Sequence, residues 1–139
     1  MRSALAAVLG IVLVASAKGP AVWNPPAWVE ENTVELRTTD PGDEPHWFKV
    51  WHVVLDDQLY VRLGSRAAGR FDRNVSKPVM GVRIAGSTFE RVRGVIVPEM
   101  TERVTTAMAD KYWTQADFIV RHMNHPYTMR LDLEPEPSE

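Results

Sequence analysis

The sequence predicts a mainly β, α+β domain: about six antiparallel strands in a closed or nearly closed barrel, with one long helix and a short helical insert. Three observations lead there. Six runs between Thr33 and Leu133 alternate apolar with polar residues or are rich in β-branched and aromatic ones. Two pairs of these runs are joined by the short turn sequences Asp56-Asp57 and Ala85-Gly86-Ser87. A single stretch, Pro98 to Trp113, carries a helical apolar period. Many short strands in one small domain leave exposed edges unless the sheet closes on itself.

Residues 1–17 (MRSALAAVLGIVLVASA) read as an export signal or N-terminal anchor. Arg2 supplies the positive start, Ala4 to Val14 the apolar run, and Ala15-Ser16-Ala17 the small residues a signal peptidase accepts. The run is shorter than the ~20 residues a membrane span needs, so cleavage after Ala17 is the expectation. That places the domain in an exported compartment or on a membrane through this segment alone; without a true signal it is cytoplasmic. Residues 18–32 form a Pro-rich linker. Pro20, Pro25 and Pro26 forbid a continuous helix, but a short turn from Pro26 to Glu31, with Asn24 near its cap, is compatible. Trp23 and Trp28 in this stretch pack on the domain or touch a partner.

The domain itself spans residues 33–134. Thr33 to Thr39 sets Val34, Leu36 and Thr38 against Glu35, Arg37 and Thr39, the pattern of a half-buried strand. His46 to Leu55 is expected as one long strand that returns through Asp56-Asp57 into Gln58 to Leu63. Gly64 to Pro78 breaks the alternation and holds one or two helical turns from Ala67 to Asn74. Val79 to Ala85 and Thr88 to Val97 form a second hairpin. Pro98 opens the long helix, with Glu99 and Glu102 in its first turn and Met100, Val104, Ala107, Met108 and Lys111 or Tyr112 on one stripe. A short helix around Phe118 to Met123 and a strand from Tyr127 to Leu133 follow. The tail, 135–139, is expected to be disordered.

Composition narrows the chemistry. The chain has no cysteine, which excludes disulfides, thiolate metal sites and a cysteine nucleophile. Its net charge of −2 is unevenly spread: Arg62 to Arg93 holds eight basic residues against two acidic ones. A basic middle in an acidic chain marks either an anionic ligand or a strand face of solvated arginines. His122 and His125 form an H-x-x-H pair for which Asp117 is the nearest third ligand, but spacing alone points to polar surface, and no metal site is assigned. No phosphate-binding loop, dinucleotide fingerprint or nucleophile elbow is present. The acidic whole argues against nucleic acid.

The order of elements, with WHVVLDDQLYVR, GRFDRN, GVRIAG and a helix ending DKYW, resembles the FMN-binding split barrels. That superfamily includes pyridoxamine-phosphate-oxidase-like and deazaflavin-dependent nitroreductase-like proteins. Within it the chain looks most similar to the domain of unknown function 2255 family. The resemblance implies a homodimer with clefts for FMN or a deazaflavin at the subunit interface. It places Arg62 on the cofactor phosphate, with Arg66, Arg73 and Lys77 as further phosphate ligands and Trp51 and His52 beside the ring. Phe71 stands where the closest family tends to carry a Trp. His52, with a near-neutral ordinary pKa, is the best candidate proton donor. The expected function is a flavin- or deazaflavin-dependent oxidoreductase acting on a small molecule; the alternative is a cofactor-free, exported binding or interaction module.

Overall fold

The structure is a computed structural model and describes residues 21–122 and 125–135, the side chains of 113–122 excepted. Seven strands make one antiparallel sheet: β1 (Val34–Thr38), β2 (His46–Val50), β3 (His52–Leu55), β4 (Gln58–Leu63), β5 (Val79–Ile84), β6 (Ser87–Ile96) and β7 (Tyr127–Leu133). Their order across the sheet is β2-β1-β5-β6-β7-β4-β3. β2 and β3 therefore lie at opposite edges while only Trp51 separates them in the chain. A flat sheet cannot satisfy both facts; the sheet curls until its edges approach, and the result is a split antiparallel barrel.

This corrects the expected strand count. His46 to Leu55 is two strands, because the chain exchanges partners at Trp51: β2 pairs β1 (Val34↔Val50 to Thr38↔His46) and β3 pairs β4 (His52↔Val61 to Leu55↔Gln58). The alternation runs straight through the bend. Phe48, Val50 and Val54 pack against the interior cluster and His52 is buried, while Trp51 and Val53 join the outer one.

Both hairpins turn as their sequences require. Asp56 and Asp57 have φ of 51° and 63°, and Ala85 and Gly86 have 51° and 79°. Two consecutive left-handed residues match the right-handed twist of the strands they join. The helical insert is α1 (Ser65–Arg73), which sends Ala68 and Phe71 into the barrel. Asn74 closes it: its side chain accepts the Thr39 N–H at 3.0 Å and donates to the Val79 carbonyl at 2.9 Å. The long helix α2 (Thr101–His122) follows a 3-10 turn, Pro98–Met100. It is continuous through Phe118 to His122, so the separate short helix expected there is its last turns.

Two apolar clusters result. The barrel interior joins Val34, Leu36, Leu59, Val61, Val82 and Leu131 among others. Gly94 lines it because a Cβ there would stand 2.6 Å from the Met129 sulfur and 3.1 Å from Met80 and Phe71. The outer cluster lies under α2, where Val104 and Met108 cover Val53, Tyr60 and Val97. The predicted helix stripe is this face.

Residues 21–32 are an arm laid on the barrel. Its 3-10 turn, Pro25–Trp28, buries Trp28 to 6% exposure. Trp23 packs edge-on against both Trp28 and Phe89, at 5.1 and 5.0 Å between ring centroids. The expected export segment and the residues that end the tail lie outside the described residues.

Candidate functional site

The arm, β3 and α2 meet around His52. Its imidazole is fully buried, with Nε2 3.0 Å from the Trp28 carbonyl. The Lys111 ammonium lies 3.4 Å from the same nitrogen and donates to the carbonyls of Glu31 (2.7 Å) and His52 (3.0 Å). The Trp28 carbonyl can only accept, so the bond at 3.0 Å has Nε2 carrying the proton and donating to it, while Lys111 spends its own protons on the two carbonyls. Nδ1 is then a lone pair, buried and without a partner among the described residues. Burial, with Lys111 adding to it, pushes the imidazole pKa down to about 4 against the support of the Trp28 carbonyl.

Tyr112 completes the cluster. Its hydroxyl donates to the Asn32 carbonyl at 2.7 Å and accepts the His52 N–H at 3.1 Å. Its ring stacks on Trp51 at 4.5 Å with planes 13° apart. Trp51 and His52 are neighbours in the chain whose side chains part to opposite sides of the sheet, and the partners that fix them are Tyr112 and Lys111. The helical period identifies these two residues only as members of a stripe. Burial lowers the Lys111 pKa, against the pull of Glu30 and Glu31.

Arg62 sits elsewhere. Its position on β4 alternates with the interior residues Val61 and Leu63, so it points outward beneath α2. The guanidinium donates to the Thr105 hydroxyl and, at 2.8 Å, to the His125 carbonyl. Its Nε is buried without a partner among the described residues. No carboxylate bonds it among the described residues, and burial alone pulls its pKa down.

The remaining predicted phosphate ligands do not share these partners. Arg73 donates to Asp40 at 2.9 Å. Lys77 donates to Asp72 at 3.3 Å, a carboxylate that also accepts the Tyr127 hydroxyl. Arg66 is exposed on the first turn of α1. Beyond them, Arg83 is clamped by both oxygens of Glu35 at 3.1 Å, and Arg91 and Arg93 meet Glu134. Half of the basic middle, Arg73, Arg83, Arg91 and Arg93, therefore meets acids from outside it: Asp40, Glu35 and Glu134. Within residues 62–77, Arg73 meets an acid distant in the sequence, whereas Lys77 meets Asp72 five residues away.

No protein-family model and no curated protein matches the chain. Solved structures do. HutZ, the heme storage protein from Vibrio cholerae, is 17% identical over 81% of this chain and 88% of its own, with a TM-score of 0.56. The conserved hypothetical protein Rv2991 from Mycobacterium tuberculosis is 19% identical over 88% of this chain and 95% of its own, also at 0.56. ChuZ from Campylobacter jejuni is 12% identical over 74% of this chain and 48% of its own, at 0.58. At such identities the likeness is one of fold, and it supports the split barrel.

Proposed function

We propose that this barrel binds a planar cofactor with an anionic arm, a flavin or deazaflavin, and serves as an oxidoreductase on a small molecule. Arg62 carries the reading. A half-buried guanidinium with an unpartnered Nε and no carboxylate among the described residues is costly. A phosphate repays that cost, because it takes several charge-assisted donors at once. The orphaned nitrogen fits such a group; Arg73 and Lys77 fit it less well, since each must first leave its aspartate.

A bound flavin would supply the hydride chemistry itself. The chain's share is to hold and shield it. Arg62 and the exposed Arg66 are the anchors for the anionic arm, and the Trp51–Tyr112 stack offers the aromatic wall. His52, sealed under the arm, orients that wall through its backbone; it reaches a substrate only where the arm moves aside. Kinship to the domain of unknown function 2255 family, homodimerisation and export belong to the same reading.

A second reading follows from the likeness to HutZ: heme, whose propionates are carboxylates to which Arg62 would donate. His52 does not fit as the iron ligand, being fully buried with one nitrogen on Trp28.

Thermal shifts of the purified chain with FMN, a deazaflavin and hemin separate these readings. Stabilisation by FMN or a deazaflavin, reduced in both Arg62→Lys and Arg66→Gln, is the expected result. Stabilisation by hemin alone favours the second reading. A chain that none of the three stabilises is the cofactor-free binding module.

A further inference from the structure

β3 is an edge strand, with β4 on one side and, among the described residues, no strand on the other. The two-residue turn makes Leu55 and Gln58 the hydrogen-bonded pair, so Val53 bonds Tyr60 in turn. The N–H and C=O of His52 and Val54 then face away from β4. His52 bears this out: its N–H goes to the Tyr112 hydroxyl at 3.1 Å, and its carbonyl accepts from Lys111 at 3.0 Å. Helix side chains there supply what a neighbouring strand would. At Val54 nothing among the described residues does.

Val54 lines an open groove of about 500 Å³ between the arm, β3 and α2. Val29, Val53 and Ala107 give it apolar walls. Glu30 and Asp110 also line it, and neither closes an ion pair among the described residues. Lys111, the cation beside them, is spent on two backbone carbonyls.

We propose that this groove takes an extended peptide segment carrying a basic side chain, added as one strand residue beside Val54. The peptide backbone exchanges two hydrogen bonds with the free N–H and C=O of Val54, and strand addition of this kind needs no sequence match. Glu30 and Asp110 select the charge, and Val29 and Ala107 receive an apolar flank. Tyr112 and Lys111 block the edge at His52, and the Asp56–Asp57 turn ends it on the other side. The register is therefore fixed at one position, and the affinity is low, on the order of millimolar.

The probe is acetyl-Val-Lys-Val-amide, titrated into the isotope-labelled full chain while the Val54 amide resonance is followed. A saturable shift is expected, with the matching Glu peptide binding about fivefold more weakly. Val54→Pro removes an N–H that faces away from β4, a place where edge strands accept proline, and should abolish the peptide-induced shifts of the neighbouring Val53 and Leu55 amides, which are followed in both chains. Should that variant fail to fold, the double variant Glu30→Lys, Asp110→Lys should reverse the preference between the two peptides. A Val54 amide that does not move, or equal binding of both peptides before and after the charge reversal, overturns the proposal.

Discussion

His52 Nε2 stands 3.0 Å from the carbonyl of Trp28, so the most deeply buried titratable group of the barrel is tied to the arm that covers it. Below about pH 6.5 an unfolded chain protonates this imidazole, whereas the folded one resists until about pH 4. The unfolded state then binds more protons, and stability falls as pH drops through that window, by about 3 kcal/mol at most, before levelling. Glu35, Asp43 and Glu134 are held low, chiefly by Arg83, the Glu44 amide and Arg93, and act at lower pH. Melting curves from pH 7.5 to 4 should slope in the native chain and flatten in His52→Gln. Parallel curves would refute the assignment.

Trp28→Ala removes a buried ring from the Trp23–Trp28–Phe89 cluster and should cost about 3–5 kcal/mol in urea unfolding. Trp23→Ala, from a half-buried position, should cost clearly less. Equal losses would mean that the arm holds through its polar ties rather than through its rings.

Tyr112→Phe removes one hydroxyl that serves both the Asn32 carbonyl and the His52 N–H. The expected loss is about 1–3 kcal/mol, since the part-buried His52 N–H is left without its partner while the exposed Asn32 carbonyl turns to water. Hydrogen exchange should quicken at the His52 amide and leave the β5–β6 hairpin unchanged. An unaltered His52 rate would show that water replaces the hydroxyl without penalty.

Gly94 and Gly81 both lack room for a Cβ, but for different reasons. At Gly94 the obstacles are Met129, Met80 and Phe71 inside the barrel. At Gly81 the obstacle is the Arg37 guanidinium, 2.7–2.8 Å away, the end of a flexible side chain. Gly94→Ala should therefore cost about 1–3 kcal/mol by overpacking, while Gly81→Ala costs under about 1 kcal/mol as Arg37 swings off Glu90. Denaturant midpoints of the two variants check the order.

Legibility divides along the same physical lines. Strands and hairpins follow from local alternation and turn residues, and Val34, Leu36 and Thr38 are buried as the pattern requires. The break at Trp51 leaves no local mark: no glycine or proline stands there, the inside–outside alternation is unbroken, and only the change of partner strand defines it. The candidate site is legible at Trp51 and His52, which adjoin in sequence. It is not legible at Lys111 and Tyr112, whose partners lie 59 and 60 residues away. Nor does charge spacing reveal that Arg73 and Lys77 answer to Asp40 and Asp72 while Arg62 answers to no acid among the described residues.

The sheet order has a consequence for how the protein is made. β7, the last of the described strands to leave the ribosome, lies between β6 and β4, and both neighbours bond it along much of its length. Until it arrives, the nascent chain holds two pieces of sheet with no strand pairing between them, β2-β1-β5-β6 and β4-β3. Neither piece can close. The barrel is thus assembled only when synthesis of the domain is complete, and a chain truncated before Tyr127 would expose two raw sheet edges where the native protein has its centre.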